Sequence, residues 1–357
     1  MPSSDLTPAR PPPDGLGSNF VNPTSCGTKF IVVNCIFLPI AFISIVIRVW
    51  TRMFITREFR LRRDDVLMIA AFVLSSALSA VTLRMVKLGM GRHMWDVLMS
   101  NYSPTLLQLN LSAAIFYNAG TGFLKVSVLL FYIRIFPSRN FHIAAWVLIF
   151  IAAGYNIAGV LANIFSCNPI AKTWDVRIVH GTCINRPVFY FVNACLGILT
   201  DFATVLIPVP WIRRLQLPPR QKVLVLCILA MGCFVGIVSC IRLYSLYTFL
   251  RNDDLTWTSV DALIWCLVEL DLGIAGGCVT AMRPFARKYF PRLLGLSPHG
   301  TSGDDHPLPS DQNLYPLYSV TRTGRARLSS LNYHLSPKWG PKGDNLSQEQ
   351  ILPPAAE

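Results

Sequence analysis

The chain has 357 residues, 52% hydrophobic and only 14% charged, whereas soluble chains carry about 25% charged residues. With the deficit gathered into long uncharged runs, an ordinary water-exposed globular fold is excluded. The formal charge of +13 does not indicate a nucleic-acid partner, because the basic residues flank apolar runs and form no clustered face with interleaved aromatics.

The first 29 residues are polar and Pro-rich (PARPPPDG). They lack the apolar core of a cleavable signal, so the first apolar run is expected to direct insertion itself. A helix needs about 20 mostly apolar residues to cross roughly 30 Å of hydrocarbon. Seven runs qualify: Phe30–Trp50, Val66–Leu83, Leu111–Ile133, Ile143–Phe165, Phe189–Val209, Val223–Leu243 and Val260–Thr280. They are continuous, as in IVVNCIFLPIAFISIVI, without the strict alternation of barrel strands. Inside lipid each backbone group must pair within its own segment, which selects helices. The predicted fold is all-α: a polytopic membrane protein with seven transmembrane helices over residues 30–283, an outer tail over 1–29, and a cytoplasmic juxtamembrane segment and disordered tail over 284–357.

With alternating spans, the N-terminus and loops two, four and six hold 9 Lys and Arg; loops one, three and five plus the chain to Arg292 hold 15 in shorter segments. Basic residues stay on the cytoplasmic side, which predicts an outside N-terminus and a cytoplasmic C-terminus. Trp50, Trp146, Trp211 and Trp257 fall at span ends, as an interfacial aromatic belt requires. After span seven, RPFARKYFPRLLGL can lie in the headgroup layer and attract anionic lipid.

In loop one, Asp64 and Asp65 open span two, where carboxylates suit the free N–H groups and positive dipole of a helix start; contact with a cytoplasmic partner is the alternative. In loop two, Asn101 lies in an Asn-Tyr-Ser sequon on the predicted outer face, which permits glycosylation. Asn110 is too close to the bilayer, Asn345 is on the wrong side, and Pro follows Asn22. Arg134 ends span three as a positive-inside anchor, at a place where receptor-like proteins gate coupling. Of ten cysteines, Cys167 and Cys183 bracket the fourth loop on the outer, oxidising face. They are a candidate disulfide, against two free thiols or a bridge involving Cys26.

Ionisable groups inside a span are costly and are functional candidates by default. Lys125 lies in span three, Asp201 in span five, Glu269 and Asp271 in span seven. At 1.5 Å per residue, Lys125, Asp201 and Asp271 share a layer about 12–14 Å from the inner boundary. Lys125 is expected to pair with Asp201 or Asp271, unless its stem lets it snorkel to the headgroups. Glu269 and Asp271 point about 200° apart and cannot face one pocket. Arg242 and Asp261 are at similar heights near the outer ends of spans six and seven and form a candidate outer pair.

Enzyme templates are missing: there is no Gly-x-Ser-x-Gly, His-Glu-x-x-His, phosphate loop or dinucleotide fingerprint. His93 and Asp96 share one turn, but two ligands do not make a metal site. Neither catalysis, a cofactor nor a metal is expected.

Several segments together resemble the fungal rhodopsin-domain family, whose members include receptor-like proteins and membrane proteins of mycotoxin clusters such as satratoxin's. They are Arg63-Asp64-Asp65, Gly89-Met90-Gly91-Arg92-His93 with Trp95-Asp96, and Lys125-Val-Ser127 through Phe131-Tyr132-Ile-Arg134-Ile-Phe136-Pro137. Cys167-Asn-Pro169 with Trp174 and Cys183, Thr200-Asp201-Phe202, Pro208-Val-Pro210-Trp211 and Arg242 complete the pattern over roughly residues 30–290. The resemblance implies the same seven-span, N-outside topology. It does not imply light sensing, because a retinal Schiff base of the microbial kind needs a Lys in the last span, and VDALIWCLVELDLGIAGGCVT has none. The outer tail also lacks the eight-cysteine domain that some members carry. The expected function is receptor-like: sensing a small-molecule ligand or engaging a cytoplasmic signalling partner, with a place in fungal secondary metabolism. The alternative is a small-molecule transporter or efflux component that uses the charged layer.

Overall fold

A computed structural model describes residues 7–12, 17–55, 62–136, 138–214 and 219–281. The segment after span seven and the tail lie outside the described residues. Seven helices are long and apolar enough to cross a membrane: Gly27–Phe54, Arg63–Lys87, Asn101–Ile135, Arg139–Ile164, Arg186–Trp211, Ala230–Arg251 and Leu255–Val279, called spans one to seven. Each overlaps one of the seven apolar runs. The protein is a multi-pass membrane protein.

The largest boundary differences have a common cause. Span three begins at Asn101 rather than Leu111, and span six continues to Arg251 rather than stopping near Leu243. Polar and aromatic residues interrupt the apolar run in both places; the backbone of span six stays helical through them, whereas the start of span three is kinked at Ser103, whose φ of −121° and ψ of 126° are extended. At the end of span six the Arg251 guanidinium lies 4.8 Å from the centre of the Tyr247 ring, a cation held against an aromatic face.

Consecutive spans pack as neighbours and span one closes against span seven, so the helices form a ring. Span three also touches spans five and seven, and span seven also touches span two. These two are the interior helices: half of span three's apolar window and 56% of span seven's are buried, against 22% for span one. Hydroxyls inside the spans satisfy themselves by donating to carbonyls one turn back, as Ser44, Ser76, Thr82 and Thr204 do. Each of these hydroxyls is thereby paired within its own helix.

The bundle end that carries the N-terminus is capped by loops. Strand β1 (Cys167–Asn168) pairs antiparallel with β2 (Thr182–Cys183), and Cys167 and Cys183 are joined by a disulfide. The turn between them needs Gly181: its φ is +106°, and a Cβ there would sit 2.2 Å from the Asn168 carbonyl oxygen. Asn185 caps span five by accepting from the Val188 N–H, with Pro187 in the first turn.

Loop two knits this cap together. Gly91 N–H donates to Thr256 O at 3.0 Å and Gly91 O accepts from Cys26 N–H at 2.8 Å, which ties the starts of spans one and seven. Its φ of +88° and the 2.7 Å between a would-be Cβ and Gly27 N make glycine necessary. The His93 ring stacks between Trp95 and Trp257, with centroids 4.4 and 4.2 Å away, and its Nδ1 lies 2.5 Å from Asp254. The N-terminal tail docks on the same loop: Ala9 N–H donates to Val97 O and Met99 N–H to Thr7 O.

Candidate functional site

At the opposite end of the bundle, the Arg48 side chain of span one is 2% exposed. Its Nε is 2.7 Å from Asp65 and its Nη2 2.9 Å from Asp64. Nη1 donates to Gly277 O of span seven. Arg52 adds contacts of 3.6 Å to Asp64 and 3.3 Å to Asp65, and Ser127 of span three donates to Asp64 O. The expectation that the Asp pair caps span two is corrected here. The carboxylates serve an interhelical salt-bridge cluster, because Arg48 arrives at their level from span one and a buried guanidinium must be paired. Arg48 lies inside an apolar run, and its charge there is the sequence signal for this cluster.

Above this cluster lies the charged layer. Lys125 Nζ is 3.1 Å from Asp201, so of the two carboxylates considered for it, Asp201 is its partner. It also donates to Tyr155 Oη at 2.7 Å, Thr200 Oγ1 at 2.8 Å and Gly197 O at 3.1 Å. Asp201 accepts in addition from Ser239 of span six. Asp271 belongs elsewhere: it accepts from Ser75 of span two at 2.5 Å. Glu269, turned to the other side of span seven, pairs with Arg242 and accepts from Tyr117 Oη at 2.9 Å.

The candidate outer pair of Arg242 with Asp261 is therefore overturned. Asp261 precedes Glu269 by eight residues, about 12 Å along the helix and about 80° around it, and it is exposed. Arg242, at 5% exposure, points into the bundle, where Glu269 is within reach. Asn101 opens the kinked first turns of span three. Ser103 of its sequon is buried, donating to Trp174 O and accepting from Val176 N–H.

Three hollows follow one another inside the bundle, each sharing lining residues with the next. The largest, about 390 Å³, lies under the disulfide cap and reaches Arg186, Tyr102, Tyr190, Tyr117 and Arg242 among apolar walls such as Leu246, Phe249 and Leu263. Below it a polar gap of about 10 Å³ touches Arg242, Glu269, Asn118, Asn193, Tyr155 and Lys125. Beyond Lys125 and Asp201 a cleft of about 80 Å³ is floored by Gly273, Gly276 and Gly277 of span seven. Two buried ion pairs thus stand between the hollows. Gly197 is the joint between them: its carbonyl accepts from Lys125, and a Cβ on it would come within 3.1 Å of the Arg242 guanidinium.

The fungal rhodopsin domain matches residues 47–288. The chain belongs to that family. It is 23% identical over 295 residues to polyenoic acids biosynthesis gene cluster protein Ba17b of Metarhizium anisopliae, covering 78% of this chain and 79% of that one. It is 25% identical over 274 residues to Receptor GIN3 of Arthrobotrys oligospora, 75% of this chain and 64% of that one. It is 26% identical over 176 residues to satratoxin biosynthesis SC1 cluster protein 4 of Stachybotrys chartarum, 49% and 62% of the two chains. No solved structure matches the chain.

In this member of the fungal rhodopsin family, residues around the charges were invisible to sequence reasoning. Tyr117, Tyr155, Thr200 and Ser239 are ordinary polar residues on apolar helices, and only the fold turns them toward the ion pairs. Among the described residues no cluster of three or more His, Cys, Asp and Glu side chains could hold a metal ion. His93 and Asp96, one turn apart, go to different partners, Asp254 and the Asn19 N–H.

Proposed function

We propose that this protein is a non-catalytic, receptor-like membrane protein that binds a small molecule in the 390 Å³ hollow and relays its occupancy to a cytoplasmic partner. One observation carries this reading. Arg242 lines the hollow and also belongs to the buried polar core that continues through Gly197 to Lys125 and Asp201. A ligand that moves the guanidinium disturbs the ion pairs between spans three, five, six and seven. The volume suits a small-molecule site, and such sites combine apolar walls with a few polar groups. The absence of Lys from span seven favours a ligand other than a Schiff-base retinal. Relatives named for biosynthetic clusters, and one named as a receptor, support a place in secondary metabolism as producer-side sensor or partner.

The test is ligand-dependent association with a G-protein subunit in reconstituted membranes, with Glu269→Gln as the variant that uncouples the core. Association that ignores both ligand and variant refutes the reading. The three successive hollows favour transport as the second reading. Substrate uptake by vesicles holding the purified protein, abolished by Asp201→Asn, would establish that reading instead.

A further inference from the structure

We propose that the 390 Å³ hollow takes a free amphiphilic carboxylic acid, an apolar chain or ring system ending in one carboxylate that Arg186 receives. The inference rests on the ligand-binding reading above and adds the chemical class. Two guanidiniums line the hollow, Arg186 and Arg242, and no Asp or Glu does. Arg242 is already matched, because Glu269 pairs with it from the side away from the hollow.

Arg186 is not matched. It opens span five and is only partly exposed. Its Nη2 donates to the Cys167 sulfur at 3.1 Å, a weak acceptor, and among the described residues no carboxylate forms an ion pair with it. A guanidinium beside apolar walls without an anionic partner is poorly compensated. A planar carboxylate is the group its fork of N–H donors fits in bidentate fashion.

The rest of the lining sets the body of the ligand. Leu side chains of spans two, three, six and seven with Phe249 make its apolar walls, and neutral polar groups, the phenols of Tyr102 and Tyr190 and the Asn110 and Asn193 amides, share the hollow with Arg186. A cationic ligand would place its charge beside two guanidiniums. Because the hollow lies among the helices, the site suits an acid that enters it whole, in preference to a phospholipid headgroup whose two tails remain in the bilayer.

The experiment uses the full chain in phosphatidylcholine nanodiscs and a diazirine-bearing laurate analogue as photoprobe, with the labelled peptide located by mass spectrometry. Label is expected on the Leu246–Leu263 segment of spans six and seven. Laurate should displace it, while methyl laurate and dodecylamine should not. Arg186→Gln should weaken labelling about tenfold or more, the loss of one charge-assisted contact, and Arg186→Lys should fall between that and the wild type, because an ammonium keeps the charge and loses the fork. If methyl laurate competes as well as laurate, or Arg186→Gln labels normally, the carboxylate assignment is overturned although a ligand site remains. If phosphatidic acid doped into the disc displaces the probe as well as laurate does, the site belongs to a lipid headgroup and the proposal is wrong. If no amphiphile labels this segment in the wild-type chain, the ligand-binding reading fails together with it.

Discussion

Replacing Lys125 with Met is expected to cost about 3–5 kcal/mol of stability, the range for removing one partner of a buried ion pair. The structure supplies the reason. Without the ammonium group, Asp201 keeps only the Ser239 hydroxyl as a partner among the described residues, in a setting where its side chain is 11% exposed. The reverse change, Asp201→Asn, is milder, because Lys125 still has Tyr155, Thr200 and the Gly197 carbonyl as acceptors. Its loss should be about 1.5–3 kcal/mol, the value of a hydrogen bond to a charged group. The double variant removes both charges, so its loss should fall short of the sum by about 1–3 kcal/mol. Equilibrium unfolding in mixed micelles, followed by tryptophan fluorescence, measures all three. Losses that add to within about 0.5 kcal/mol would show that the two charges do not meet, as a snorkelling Lys125 would predict, and would refute the ion-paired core.

Four further outcomes are expected. Asp65→Asn should cost about 1.5–3 kcal/mol in the wild-type chain and little in an Arg48→Met background; an equal loss in both backgrounds would restore the helix-cap account. Reducing the Cys167–Cys183 disulfide, whose ends are 16 residues apart, should remove about 3 kcal/mol by the loop-entropy argument, read as a lower melting temperature in reductant. Gly91→Ala should cost about 1–3 kcal/mol, because φ of +88° and the approach to Gly27 N leave no room for a Cβ; limited proteolysis should then cut the N-terminal tail and loop two first. At Cys26, burial first and then the Asp261 carboxylate push the thiol above its ordinary value. Its thiolate is therefore scarce at neutral pH, and its alkylation rate should reach half-maximum at a higher pH than that of a free thiol, which a pH series of labelling rates would check.

Much of the scaffold was legible along the chain because hydrocarbon is a strict solvent. An unpaired backbone group in lipid costs several kcal/mol, so seven uninterrupted apolar runs had to become seven helices. The places where the reading fell short are those where helix and hydrophobicity part company. The end of span six at Arg251 is helical without being uniformly apolar, and span three starts at Asn101 with a kink at Ser103. Intramembrane charge marks Lys125, Asp201, Glu269 and Asp271 in the sequence alone, since a charge in hydrocarbon needs a partner. Arg186 carried no such mark, lying at a span end where charge is common.

Sequence by itself determined the class of protein, the number of crossings and the identity of the costly charges, because those follow from the transfer energy of each residue taken singly. Partnership was decided by the tertiary structure. Whether Lys125 meets Asp201 or Asp271, whether Arg242 meets Asp261 or Glu269, and whether the Asp64-Asp65 pair caps a helix or holds Arg48 depend on the rotation and height of one helix against another. Those quantities are set by packing across the whole bundle, and no span encodes them alone.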